Sequence, residues 1–195
     1  MMPFVPWSRA SVDDTPALLT KLARGDAAAF DALYRREAAA VYRYALAMAG
    51  DAAAAADATH DAFVALASRP TGFDPSRGAL GAYLAGIARH ALLALKRGAF
   101  EVLDDDHTEG DTAAGTASPE DLQVRRQGRD ALWRAIRELP WPQREALVLV
   151  DLQERPYTQA AAIAGCELNT LRTRLHRARQ RLAALLGAPT QESPP

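Results

Sequence analysis

The sequence predicts an all-α protein of two small helical domains joined by a flexible acidic linker. Three observations carry this. Apolar residues recur along most of the chain at the period of an amphipathic helix. Glycine, proline and aspartate punctuate those runs where helices begin and end. One stretch, Glu101 to Asp121, breaks the pattern, with Glu101, Asp104, Asp105, Asp106, Glu109, Asp111, Glu120 and Asp121 and no Lys or Arg. Such a segment buries too little apolar surface to offset the entropy of ordering, and it reads as a tether. Its charge also suits a basic channel of the kind that holds nucleic acid.

Residues 1–14 form a leader in which Pro3 and Pro6 break any helix, and it is expected to be disordered. The first domain is expected over 15–98. Thr15-Pro16 opens its first helix, with Thr as N-cap and Pro in the first turn, where a missing N–H costs nothing. Leu18, Leu19 and Leu22 are its apolar face, and Gly25 closes it. Asp26 caps a longer helix, Ala27 to Ala49, with Phe30, Leu33, Tyr34, Val41, Tyr44, Ala45 and Met48 on one stripe. Gly50 ends that helix and Asp51 opens the next, which runs to Ser68. Asp57 and Asp61 share a face of this third helix at i,i+4 spacing, with His60 between them. Paired acids on a helix are ordinarily solvated, and no second ligand cluster supports a metal site. The loop RPTGFDPSRG follows, with Phe73 and Arg77 inside it. Phe73 either stacks on an unpaired base or folds back on the core. A fourth helix spans Gly78 to Arg97, burying Leu80, Leu84, Ile87, Ala88, Ala91 and Leu95 and leaving Tyr83, Arg89, His90, Lys96 and Arg97 as its polar and basic remainder.

After the linker (99–121), the second domain is expected over 122–187, with a frayed, Pro-rich tail at 188–195. Val124, Leu132, Trp133, Ile136 and Leu139 lead to Pro140. A helix from Gln143 continues through Leu152, and Arg155-Pro156 ends it. Two helices then meet at Gly165, which supplies a positive φ without steric penalty. Ala160, Ala161 and Ile163 face inward on the first. Leu168, Leu171, Leu175, Ala178, Leu182 and Leu185 do so on the second. From Leu168 to Leu186 there are five arginines and no acid. A short helix, a tight turn and a helix with a basic outer face form a helix-turn-helix pattern. A solvated helix face usually mixes signs, and this one does not. Asn169, Thr170 and Thr173 are short polar groups suited to base edges. Arg172, Arg174 and Arg177 suit guanine edges or phosphates.

Composition narrows the function further. The 195 residues carry a net charge of −1, so nucleic-acid affinity must come from local patches. Lys21 and Lys96 are the sole lysines, and the arginine bias fits a GC-rich genome. Cys166 is the single cysteine, which excludes an intrachain disulfide or a thiolate cluster and reads as a small packed residue. No apolar run is long enough for a membrane span and the leader lacks a signal core, so a cytoplasmic protein is expected. No Ser/His/Asp set, catalytic carboxylate pair or phosphate loop stands out, so no enzyme, cofactor or metal is expected.

Three motifs together resemble the extracytoplasmic-function (ECF) sigma factors of the sigma-70 family, over roughly Leu18 to Leu186. Asp57-Ala58-Thr59-His60-Asp61-Ala62-Phe63 resembles the family's D-L-V-Q-E-T-F segment. LGAYLAGIARH, Leu80 to His90, resembles F-x-x-W-L-x-x-I-A-x-N. Tyr157 to Arg179 resembles Y-x-E-I-A-x-x-L-G-x-P-x-G-T-V-x-S-R-L-x-R-A-R, and Leu139 to Ala146 matches the L-P-x-x-x-R-E-A entry to it. The resemblance implies a subunit that binds core RNA polymerase (beta-prime clamp and beta flap) and promoter DNA and promotes initiation, in a stress or environmental response. Asp57, His60 and Asp61 would meet the clamp. Phe73, Arg77, Tyr83, Ile87, Arg89 and His90 would read and melt the minus-ten element. Asn169, Thr170, Arg172, Thr173, Arg174, His176, Arg177 and Arg179 would read the minus-thirty-five element. The linker would run through the polymerase's product channel, and an anti-sigma factor is the implied regulator. The chain departs from the pattern at His60 (Gln in the family), Tyr83 (Trp), His90 (Asn), Gln159 (an acid) and Glu167 (Pro). An autonomous repressor or activator would instead bind a palindrome as a dimer, and a sigma mimic would have lost the arginines of the second helix.

Overall fold

The computed structural model describes residues 14–102 and 119–187, and among them all regular structure is helical. Most of the linker expected at 99–121, the leader and the tail lie outside the described residues. The first half contains α1 (Thr15–Ala23), α2 (Ala27–Ala49), α3 (Ala52–Ser68) and α4 (Leu80–Val102). Two 3-10 turns, Pro70–Gly72 and Pro75–Arg77, lie between α3 and α4. The second half contains α5 (Pro119–Arg137), α6 (Trp141–Leu147), α7 (Tyr157–Ala164) and α8 (Leu168–Gly187).

Local chemistry sets most boundaries. The Asp26 carboxylate accepts from the backbone N–H of Ala28 and Ala29, and that of Asp51 accepts from Ala54. These bonds satisfy donors that the first helical turn leaves orphaned. Gly50 ends α2 at φ +75°, in the left-handed region. At α1 the expected cap shifts. Asp14 occupies the N-cap without a side-chain bond, and Thr15 instead accepts from Arg36 Nη2 at 2.8 Å. Thr15 thereby ties α1 to α2. The helix expected from Gln143 to Leu152 is also modified, since its second part, Val148–Leu152, is a π-helical turn. There the N–H of Gln153 reaches back to Val148 O at 2.9 Å.

The core of the first half is built on Leu33, Val41, Tyr44 and Met48 of α2, Phe63 and Leu66 of α3, and Leu84 and Ala88 of α4, all essentially inaccessible to solvent. Ala55, Ala58 and Ala62 let α3 approach its neighbours closely. The buried Thr59 hydroxyl donates to Ala55 O at 2.7 Å and so carries no unmet donor. In the second half Ile136, Leu139, Leu147, Leu149, Leu171 and Leu175 pack together. The two cores are continuous, because α4 lies against α7 and α2 touches α6 and the π-helical turn. The halves are therefore docked on each other. The linker expectation did not address this, and it controls where the site residues sit.

Candidate nucleic-acid interface

The helix-turn-helix forms as the spacing predicts. Alternation of small apolar residues buries Ala160, Ala161, Ile163 and Ala164 of α7. Gly165 turns the chain at φ +60°, and its N–H and that of Cys166 bond the carbonyls of Ala162 and Ala161. Leu171, Leu175 and Ala178 anchor α8 to the core. That placement turns Asn169, Thr170, Arg172, Thr173, His176, Arg177 and Arg179 outward, all exposed, with Arg174 half-buried. Asn169 orients the first turn: its Oδ1 accepts from Arg172 Nη1 at 3.2 Å, and its carbonyl accepts from the Thr173 hydroxyl at 3.0 Å. Arg179 differs from the other arginines. Its Nε and Nη2 donate to the two carboxylate oxygens of Asp151 at 2.9 and 2.6 Å, a forked pair that clasps α8 to the π-helical turn. The free cationic face is thus concentrated N-terminal to Arg179.

The residues expected at the minus-ten element divide between surface and interior. His90 is exposed, and Tyr83 and Ile87 are half-buried on α4. Arg77 ends the second 3-10 turn. Phe73 takes the inward alternative: its ring is buried and rests on Tyr83 with centroids 5.6 Å apart. A loop aromatic offered to solvent would leave that core position empty. Arg89 also turns inward, toward the second half.

Asp57, His60 and Asp61 are exposed on α3. His60 borders a shallow groove of about 300 Å3 between α2 and α3, with Tyr34, Ala38, Tyr42 and Thr59 along it. Tyr34 and the half-buried Phe30 cluster on Phe63, at 4.7 and 6.2 Å between centroids. Among the described residues no three His, Cys, Asp or Glu side chains stand close enough to hold a metal, and no helix is long and apolar enough to cross a membrane.

A third assembly was not foreseen from the sequence. Glu145 of α6 is completely buried, and its Oε1 accepts from the Tyr44 hydroxyl and from Arg89 Nε, both at 2.7 Å. Arg89 Nη2 continues to Ala164 O at 3.1 Å, at the C-terminal end of α7 where the helix dipole favours a cation. Around this centre Arg144 Nη1 donates to Met48 O at 2.9 Å, Gln153 Nε2 donates to Ala40 O at 3.2 Å, and Lys96 lies over the Trp141 ring. Burial, then the charge of Glu145, pushes the Tyr44 phenol well above its ordinary value. Arg155, also buried, is lowered to about 10 by desolvation, opposed by Glu37 and Tyr44. The only advance signal for this assembly was one acid, Glu145, entering the apolar run ALVLV.

Two family models match the chain, "Sigma-70 region 2" over residues 33–99 and "Sigma-70, region 4" over 129–182. The chain is 32% identical over 179 residues to the ECF RNA polymerase sigma factor SigE of Mycolicibacterium smegmatis, covering 88% of this chain and 68% of that one. It is 33% identical over 174 residues to the ECF RNA polymerase sigma factor SigM of Mycobacterium tuberculosis, covering 87% and 83% respectively. Among solved structures, CnrH in complex with the cytosolic domain of CnrY is similar with a TM-score of 0.66 and 25% identity, over 91% of this chain and all of that one.

Proposed function

The chain belongs to the ECF sigma factors of the sigma-70 family, and from that membership we propose how its parts divide promoter recognition. The α3 face of Asp57, His60 and Asp61 meets the clamp of core RNA polymerase. The α4 surface around Tyr83, Ile87 and His90, with Arg77 and Arg89 beside it and Phe73 beneath Tyr83, reads and opens the minus-ten element. Unstacking a base costs a few kcal/mol, which a base pocket offsets. The exposed face of α8, from Asn169 to Arg179, enters the major groove at the minus-thirty-five element. The segment between α4 and α5 threads the polymerase's product channel. Neither DNA-reading surface needs high affinity alone, because the polymerase raises the effective concentration of each. CnrH is solved in complex with the cytosolic domain of CnrY, which supports a protein partner for this chain; we infer that the partner is an anti-sigma factor and that the site of action is the cytoplasm.

The observation that carries the reading is the acid-free, solvent-facing surface of α8 on a helix-turn-helix. Run-off transcription tests it. Core polymerase with this chain should yield a promoter-specific transcript that core polymerase alone does not. No such transcript from any promoter of the source genome would overturn the reading.

A further inference from the structure

Glu167 is the last residue before α8, and it is exposed. Its backbone carbonyl accepts from the N–H of Leu171 at 2.9 Å, so it stands at the N-cap position. Capping does not account for the residue type. N-caps are ordinarily Ser, Thr, Asp or Asn, whose short side chains fold back onto the N–H groups of the first turn. The Glu167 carboxylate makes no such bond, and it meets no cation among the described residues. Proline, which the ECF pattern carries at this place, has no side-chain group to offer a base.

The neighbouring side chains of α8 are mostly donors. Arg172, His176 and Arg177 are exposed. Asn169 already uses its Oδ1 to accept from Arg172 Nη1 at 3.2 Å, and the Thr173 hydroxyl donates to the Asn169 carbonyl at 3.0 Å. Asp151, on the π-helical turn, is bound to Arg179. Glu167 is therefore the unengaged carboxylate at the leading end of a helix whose N-terminal residues face base edges. Beside phosphates such a charge repels. In the major groove its complement is an amino group, and cytosine N4 suits it best. The cytosine edge offers that donor with no acceptor beside it on the same base. Adenine places N7 next to its N6 donor, which repels a carboxylate and suits an amide.

We propose that Glu167 is a specificity-determining residue for the minus-thirty-five element, accepting a hydrogen bond from N4 of a cytosine at the edge that faces the α7–α8 turn. The proposal rests on the sigma-factor reading for the element it names. The arginines supply an attraction that is largely independent of sequence. Glu167 opposes that attraction everywhere except where a cytosine amino group answers it. It thus acts on the ratio of specific to non-specific binding more than on affinity.

The test uses holoenzyme assembled from core polymerase and the full chain, with a promoter library randomised across the minus-thirty-five and minus-ten elements. Transcribed members are sequenced. Wild type should enrich cytosine about tenfold at one position of the minus-thirty-five element. Glu167→Gln should move the preference there to adenine, whose N6 and N7 an amide meets together. Glu167→Ala should leave that position without preference, and all other positions should keep theirs. Both variants should bind a non-promoter duplex a few-fold more tightly, because a repelling charge is gone. The same base preferences in all three proteins, or a loss spread evenly over every position, would overturn the proposal. The even loss is what a merely structural role at the helix end would give. If wild type transcribes no member of the library, the sigma-factor reading fails instead. The randomised duplex is then selected on the full chain alone. There, a cytosine replaced by adenine in Glu167→Gln upholds base reading by Glu167, and unchanged preferences overturn it.

Discussion

The hydroxyl of Tyr44 donates to Glu145 Oε1 at 2.7 Å across 101 residues of sequence, with both side chains fully buried. A phenol so placed is held neutral by its surroundings. Its ionisation would put a second negative charge beside a carboxylate in a medium that solvates neither.

Tyr44 should therefore resist alkaline titration. Its folded pKa lies above the unfolded value near 10, so its contribution is fully present below pH 10 and is lost as pH rises above it. Arg155 acts with the opposite sign. Its folded value of about 10 lies below the ordinary guanidinium value, so the penalty of burying its charge is relieved as pH rises through that alkaline window. In a spectrophotometric titration one tyrosine is expected to ionise only as the chain unfolds. Tyr44→Phe should remove that late component and make the alkaline loss of stability shallower. Five tyrosines titrating together near pH 10 would contradict this.

The arginines of α8 should not contribute equally to DNA binding. Arg172→Ala and Arg174→Ala should each lower the salt slope of promoter binding by the holoenzyme by about 0.9 if each contacts a phosphate. Arg179 is already neutralised by Asp151, so Arg179→Ala should change the slope less. Asp151→Asn should release that charge and steepen the slope. Promoter-dependent transcription unaffected by loss of both Arg172 and Arg174 would remove α8 from the groove.

Two glycines with open space around a would-be Cβ should respond with opposite signs. Gly165→Ala forces an alanine into φ +60° and should destabilise the chain by about 1–2 kcal/mol. Gly86, inside α4 at ordinary helical angles, should gain about 0.5–1 kcal/mol on substitution by Ala. Urea midpoints of the two variants measure the contrast. Equal shifts would mean that the turn is not under the backbone constraint described.

Local features were legible in the sequence because their causes are local. Asp26, Asp51, Gly50 and Gly165 act within a few residues of themselves, and each sits where the punctuation put it. The buried stripe of α8 likewise follows from spacing alone. The rest depends on distant partners. Arg89 reads as one more cation on a basic helix face until Glu145, 56 residues away, is placed beside it. Phe73 had two plausible directions, and the deciding contact, Tyr83, lies on the next helix. Thr15 was a good cap by type, but Arg36 claimed its hydroxyl. The π-helical turn left no mark, since Val148–Leu152 has the composition of any buried helix.

That turn has a consequence for the evolution of the chain. A π-helical turn holds one residue more than an α-helix needs to cover the same length. Deleting any single residue of Val148–Leu152 would let the segment relax into regular helix, with little change in composition or hydrophobicity. The helices after it would keep nearly the same direction, because the π turn absorbs the additional residue within a turn that an α-helix closes with one fewer. The segment between α6 and α7 can therefore gain or lose that residue without re-aiming the arginines of α8. Homologues one residue shorter there are expected to present the same basic face.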